Sequence, residues 1–428
     1  YSFWVKRGTV SSAAYQYLFI GRLNGTNVQE VYFHTDDTLA WYNYKSGYEG
    51  ELKTTRLFRD PNAWMHIQLV WDSANGVSGD RMIIYVNGVR ETAFSTENYP
   101  GASDTSIINT AVAHAIGWHV GDSDKAFDGS MSHVQFVNAE ALAPTEFGEV
   151  DSTSGIWKIK TGAYATPGTN GFFLKMEDRT NLDLDSSSNA YTFSTTGTLT
   201  ATYDNPSNNF CVMNPLDNWT QNSTFTTGNL SVGGATSSGT YAYVTPTMGV
   251  FSGKWYWEVK FSGGGANALI GIIDKRPIAG GTYVGYDVNS YGYHGTAGNY
   301  YNNASGTSYG NSYTTGDIIG VYLDLDNNKI YWGKDGVVQN SGTGVSITAP
   351  SSTTNSYYMA AATYWDTGGP TFMYNFGNGY FGTTAVTSSV ADEGGIGAFE
   401  YDPSAGTFDG SSKDFRAICT KNIKAYGG

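Results

Sequence analysis

The sequence predicts an all-β protein: two antiparallel β-sandwiches of jelly-roll type, joined by a packed, β-rich connector. Three observations carry that expectation. Short runs of alternating apolar and polar residues recur along the chain, as half-buried strands require. Clusters of Gly, Asn, Ser and Thr punctuate them. Only 14% of the 428 residues are charged, whereas Gly (54) and Tyr (32) abound and aromatics reach 15%. That aromatic mass rules out global disorder, and the length calls for two or three domains.

Residues 1–150 hold the first series of strands. Gln29-Glu-Val-Tyr-Phe-His34, Leu39-Ala-Trp-Tyr-Asn-Tyr44, His66-Ile-Gln-Leu-Val-Trp-Asp72 and Met82-Ile-Ile-Tyr-Val86 each fit one. Asn87-Gly88 between two such runs is a strong two-residue hairpin signal. Trp41, Tyr42 and Tyr44 read as alternating, with Tyr42 turned away from the other two and one side forming core. No sustained helical period occurs in this part. The opening residues already read as the middle of a β-domain, so this domain is expected to be N-terminally incomplete.

Several motifs here resemble the LamG/concanavalin-like jelly-roll family. They are Phe3-Trp4-Val5-Lys6, Trp64-Met-His66-Ile-Gln-Leu-Val-Trp-Asp72, Ile84-Tyr-Val-Asn-Gly88 and Phe127-Asp-Gly-Ser-Met-Ser-His-Val-Gln-Phe136. The resemblance implies a sandwich whose rim loops often hold Ca²⁺. Asp36-Asp37 and Gly121-Asp-Ser-Asp124 offer the hard oxygens that such an ion needs. Asp36, Asp37, Asp122 and Asp124 are therefore the candidate metal ligands, with solvated turns the plainer alternative. No other cofactor is expected.

Residues 151–208 mix Ser/Thr/Asn stretches with Trp157, Phe172, Phe173 and Phe193. A flexible tether would lack those aromatics, so a packed connector is predicted. Residues 209–382 form the second sandwich. Gly253-Lys-Trp-Tyr-Trp-Glu-Val-Lys-Phe261, Ile270-Gly-Ile272, Gly316-Asp-Ile-Ile-Gly-Val-Tyr-Leu-Asp-Leu-Asp326, Lys329-Ile-Tyr-Trp-Gly-Lys-Asp-Gly336 and Phe372-Met-Tyr-Asn-Phe-Gly377 together resemble the SPRY domain. These residues identify a scaffold, not a reaction. The tail, 383–428, is part apolar and is expected to pack on the connector.

The functional reading is binding. Glu149-Val-Asp151 and Glu400-Tyr-Asp402 lack the second Glu of a Glu-x-Asp-x-x-Glu glycosidase strand. No zinc-ligand spacing, nucleophile elbow or phosphate loop occurs, so no catalytic residue is assigned and no enzyme is expected. A net charge of −14 without a basic cluster argues against nucleic acid, and no apolar run is long enough for membrane insertion. His66 and His133 read as satisfied core histidines. Cys211 and Cys419 read as free thiols of a chain folded in a reducing cytoplasm.

Tyrosines crowd 281–313 among Gly and Asn, the composition of an adaptable recognition loop. Tyr283, Tyr293, Tyr300, Tyr301 and Tyr309, with Trp365 and Asp366, are the candidate ligand-binding residues. The connector's Asn170-Gly-Phe-Phe-Leu-Lys175, with Pro206-Ser-Asn-Asn-Phe210 and Cys419-Thr-Lys-Asn422, gives an arrangement that resembles bacteriophage virion fibre proteins. That resemblance implies a homotrimer on the virion surface, a tail or head fibre folded in the host cytoplasm. It would bind a host-surface glycan or receptor protein and associate with other virion proteins. A secreted lectin-like adhesin and a divergent glycoside hydrolase are the alternatives.

Overall fold

Alternation decides the architecture seen in the computed structural model. It describes residues 1–122, 125–162, 164, 166–218, 223–234, 241–263, 267–274, 282–351, 358–364 and 370–427. Nearly all the regular structure is β, and the chain divides into two compact units, Tyr1–Ala201 and Thr202–Gly428.

The first unit is a sandwich of two six-stranded sheets. One runs Phe172–Leu174, Gly129–Phe136, Ser2–Arg7, Met65–Trp71, Met82–Val86, Val89–Arg90; the other runs Ala113–Ile116, Gln16–Asn24, Asn27–Phe33, Thr38–Lys45, Tyr48–Leu57, Phe94–Asn98. Phe3, Val5, Ile67, Leu69, Ile84 and Val134 from the first meet Leu18, Val31, Phe33, Leu39, Trp41 and Leu52 from the second. Spacing by two puts each set on one face. Asn87 and Gly88 both take positive φ (49° and 77°) at the turn that pairs Val86 with Val89, the type I′ geometry their identities favour.

Residues 151–201, most of the packed connector read from sequence, cluster with this unit. Phe172–Leu174 adds an edge strand beside Gly129–Phe136. The Trp157 ring stacks on His66 at 5.9 Å, and its Nε1 donates to His66 Nδ1 at 3.2 Å. His66 itself is fully buried, its Nε2 bonded to Ser2 Oγ at 2.8 Å.

The second unit pairs a nine-stranded sheet with a five-stranded one. The centre of the larger sheet is Thr371–Asn375, Lys254–Ser262, Ile318–Asp324 and Lys329–Lys334. Trp255, Trp257, Val259, Phe261, Val321, Leu323 and Trp332 face the core, against Ile270, Ile272, Tyr291 and Tyr293 of the smaller sheet. Asp335 and Gly336 (φ 47° and 80°) close the hairpin after Lys329–Lys334.

The tail reaches the connector, where Asn208 Oδ1 accepts from Thr420 Oγ1 and Lys421 N, and it also covers part of the second unit's larger sheet. Its aromatics cover the outer face of the larger sheet: Phe399, Phe408 and Phe415 bury against Tyr256, Tyr322 and Tyr331. Tyr203 is the connector residue that meets them. Arg416–Ala417 pairs in parallel with Trp255 and Tyr256. Those two residues lie beyond the stretch 258–262 that pairs with Thr371–Asn375 on the same edge, so the tail fills an open strand position. Cys211 and Cys419 are both buried thiols.

Candidate interaction surfaces

In the first unit, the strands of the second sheet turn their non-core residues to one face. Tyr15, Tyr17, Tyr32, Tyr42, Tyr44 and Tyr48 form a ladder of ring contacts there, with centroids 5.0 Å apart for Tyr15–Tyr32 and 5.1 Å for both Tyr17–Tyr32 and Tyr44–Tyr48. Tyr48 touches both Tyr42 and Tyr44, so these two share a face, as residues two apart on a strand do, which corrects the sequence reading that set Tyr42 opposite Tyr44. At the centre sits Glu30. Its Oε2 accepts from the hydroxyls of Tyr17 (3.0 Å) and Tyr42, and its Oε1 lies 3.2 Å from His119 Nε2. Burial first, and then the charge of Glu30, push the Tyr17 and Tyr42 hydroxyls far above the ordinary tyrosine value, so both stay donors. Sequence reasoning missed this cluster because its members are spread over neighbouring strands within residues 15–48 and the remote His119.

The predicted metal loops are occupied by protein cations. Asp37 is fully buried, with Arg7 Nη1 at 3.0 Å and Arg59 Nε at 2.7 Å, and it accepts from Ser11 N and Oγ. Asp36 points elsewhere: Lys53 Nζ lies at 2.8 Å and Thr38 Oγ1 at 2.6 Å. Partial burial works against its ionisation, but Lys53 and Thr38 hold its carboxyl below the usual range. Asp122 pairs with Lys125 at 2.8 Å, and Asp124 lies outside the described residues. Among the described residues, no group of three or more His, Cys, Asp or Glu side chains is placed to hold a metal. Carboxylates already neutralised by Arg and Lys do not fit Ca²⁺, which needs several free oxygens on one centre.

In the second unit, much of the expected loop 281–313 is sheet: Ser290–His294, Asn299–Asn302 and Ser305–Ser308. Its tyrosines therefore divide between faces. Tyr293 and Tyr309 are buried against Trp332, with centroids 5.8 and 5.2 Å from that ring, and are core residues instead of ligand contacts. Tyr313 joins them, its hydroxyl donating to Ala268 O and Tyr293 O. Tyr300 is half-buried on the same side. Tyr283 and Tyr301 lie on the other face. There Tyr283 stacks on Tyr241 (5.8 Å) and meets Tyr286 (5.4 Å) and Tyr301 (6.1 Å) edge-on, and His294 meets Tyr301 at 5.5 Å. Leu269, Ile273, Val284 and Ala361 form the floor. Tyr286 and Val288 are 43% and 59% exposed beside it. Trp365 and Asp366 lie outside the described residues. Tyr286 falls in the tyrosine-crowded stretch 281–313, but Tyr241, some forty residues upstream, and His294 gave no local signal.

Known proteins match both units. The SPRY domain family model covers residues 254–367, and the model of the Concanavalin A-like lectin/glucanases superfamily covers residues 1–146. The chain carries a SPRY domain and a concanavalin A-like, LamG-type domain. It is 37% identical over 98 residues to the Ran-binding proteins 9/10 homolog of Drosophila melanogaster, covering 22% of this chain and 10% of that protein. Human Ran-binding protein 9 is 36% identical over 86 residues (20% of this chain, 12% of that protein). Set1 complex component ash2 of Schizosaccharomyces pombe is 36% identical over 78 residues (17% and 12%). The chain thus spans only about a tenth of the length of the curated relatives it matches. Among solved structures, the SPRY domain of human HERC1 aligns with a TM-score of 0.28 at 18% identity, over 34% of this chain and 87% of that one. A second human SPRY domain gives 0.29 at 16%, over 36% and 94%.

These relatives, from animals and a yeast, overturn the expected bacteriophage virion fibre. With it fall the homotrimer, the host-surface glycan or receptor, the other virion partners and the virion-surface location, together with the adhesin and hydrolase alternatives. That expectation rested on short turn-and-strand motifs, which unrelated β-sandwiches share.

Proposed function

We propose that this chain is a non-enzymatic binding protein whose second unit holds a polypeptide partner. The observation that carries this reading is the patch of Tyr241, Tyr283, Tyr286 and Tyr301 on the SPRY-bearing unit. Tyrosine offers a large contact area with few rotatable bonds and a hydroxyl at its edge. An exposed Tyr286 and Val288 beside packed rings give a mobile peptide both an anchor and an apolar rim. The relatives' names, which speak of binding Ran and of a Set1 complex, support a protein as the class of partner. The non-enzymatic part rests on the missing carboxylate pattern in the sequence.

An array of random twelve-residue peptides, probed with the full chain, tests the reading. Bound peptides are expected to lose at least tenfold in affinity, about 1.4 kcal/mol, on Tyr286→Ala. The fold should be little affected, since Tyr286 is 43% exposed and stands at the rim of the patch. An array without binders, or binders indifferent to Tyr286→Ala and Tyr283→Ala, would overturn it.

A further inference from the structure

The outer face of the first sandwich's second sheet carries a charge that its own side chains leave unpaired. Leu52 faces the core, so Glu51 and Lys53 on either side of it face outwards. Glu51 stands directly opposite Tyr42 on the next strand, and Tyr42 in turn stands opposite Glu30. Adjacent strands run about 5 Å apart, so the three form one row across the sheet. Its two carboxylates differ. Glu30 is buried and already accepts from the Tyr17 and Tyr42 hydroxyls. Glu51 is half-buried, and among the described residues none donates a hydrogen bond to it. Burial raises its carboxyl above the ordinary glutamate value, with the charge of Lys53 alone opposing this. Lys53 is itself held 2.8 Å from Asp36. The other cations of the two strands are taken too: Lys45 by Glu49 at 3.1 Å and Arg56 by Glu91 at 2.5 Å.

Rings stand beside this carboxylate. Tyr42 meets Tyr48 at 5.6 Å and 76°, and Tyr32 at 6.1 Å and 83°. Tyr48 is 55% exposed, so ring face as well as edge is open to solvent. After burial, the charge of Glu51 is the main influence raising the Tyr48 hydroxyl, which places the carboxylate near that ring. An open tyrosine next to an unpaired carboxylate suits a cation, since the ring face is itself negative.

We propose that this face docks an arginine side chain of a partner polypeptide, its guanidinium stacked on Tyr48 and its N–H fork on Glu51. The guanidinium is planar and weakly hydrated, and two parallel N–H groups match the two oxygens of a carboxylate. A lysine ammonium is more strongly hydrated and cannot fork. A quaternary ammonium has no N–H for Glu51, and a neutral sugar leaves its charge uncompensated. A free amino acid would bring a carboxylate of its own to a face that holds Glu30 and Glu51, so a chain-borne arginine is the occupant. The surface belongs to the first unit and stands independently of the reading given for the second unit's tyrosines.

The probe is a blocked Gly-Ser-Arg-Ser-Gly peptide, titrated at millimolar concentration into the full chain by calorimetry. Versions with lysine or citrulline in place of arginine, together with free arginine, choline and glucose, are the comparisons. The arginine peptide is expected to bind, the citrulline peptide not at all, and the others more weakly than the arginine peptide. Glu51→Gln should cut affinity about tenfold while Tm holds or rises, because an unpaired, half-buried charge is removed. Tyr48→Ala should cut it about threefold, and Tyr286→Ala should leave it unchanged. The proposal is overturned if the arginine peptide does not bind, if any comparison ligand binds as well as it does, if Glu51→Gln binds it like the parent, or if binding is lost in Tyr286→Ala instead.

Discussion

Glu258 shows what one side chain can organise. Fully buried on the outer face of the larger sheet, its carboxylate accepts from Tyr256 Oη, Asn375 Nδ2, and the backbone N of Glu400 and Tyr401. It thereby ties the tail to the sheet. Glu258→Ala leaves two backbone N–H groups and one of the two N–H bonds of Asn375 without an acceptor, at about 1–3 kcal/mol each. Urea unfolding of the full chain should therefore show a loss of about 3 kcal/mol or more; a loss below about 1 kcal/mol would mean the tail is held otherwise. At this scale the sequence was least informative. Glu258 reads as one polar residue in an apolar run, and its partners lie as far as 143 positions away. Tyr293 and Tyr309 failed as ligand candidates for the related reason that composition cannot say which face of a strand a tyrosine takes. Tyr283 and Tyr301 were legible as a pair of aromatics, but not as neighbours of Tyr241.

Elements were more legible, because a strand's signal is local. The type I′ hairpin at Asn87-Gly88 and the buried strand Ile318–Asp324 follow from residue identity and alternation alone. Lys254–Ser262 carried a further signal that was not used: Trp255, Tyr256 and Trp257 are aromatic on both faces of one strand, which requires a layer on each side. The tail supplies the second layer. Phe415 is fully buried there, so Phe415→Ala should destabilise the chain by about 3–5 kcal/mol in denaturant unfolding. A change under 1 kcal/mol would show that the tail is not part of the folded core. The domain bearing the SPRY motifs thus needs residues well outside the 254–367 that match the family.

For the whole molecule, two buried groups give opposite pH responses. Burial lowers His66 from 6.5 to about 3. The unfolded chain then binds the extra proton, so stability falls as pH drops from 6.5 towards 3, by up to about 1.4 kcal/mol per pH unit. Burial raises Glu258 from 4.5 to about 7 against the donors around it. There the folded state binds the extra proton, and stability falls as pH rises from 4.5 to 7. Unfolding free energies between pH 4 and 7 should lose the first slope in His66→Gln and the second in Glu258→Gln. A profile unchanged by either substitution would contradict these assignments. The central claim is that the tyrosine patch of the second unit receives a polypeptide. Hydrogen–deuterium exchange of the full chain, with and without a peptide taken from the array, tests it most directly. Protection at 241–243, 283–288 and 299–302 is the predicted result, and protection confined to other segments would contradict it.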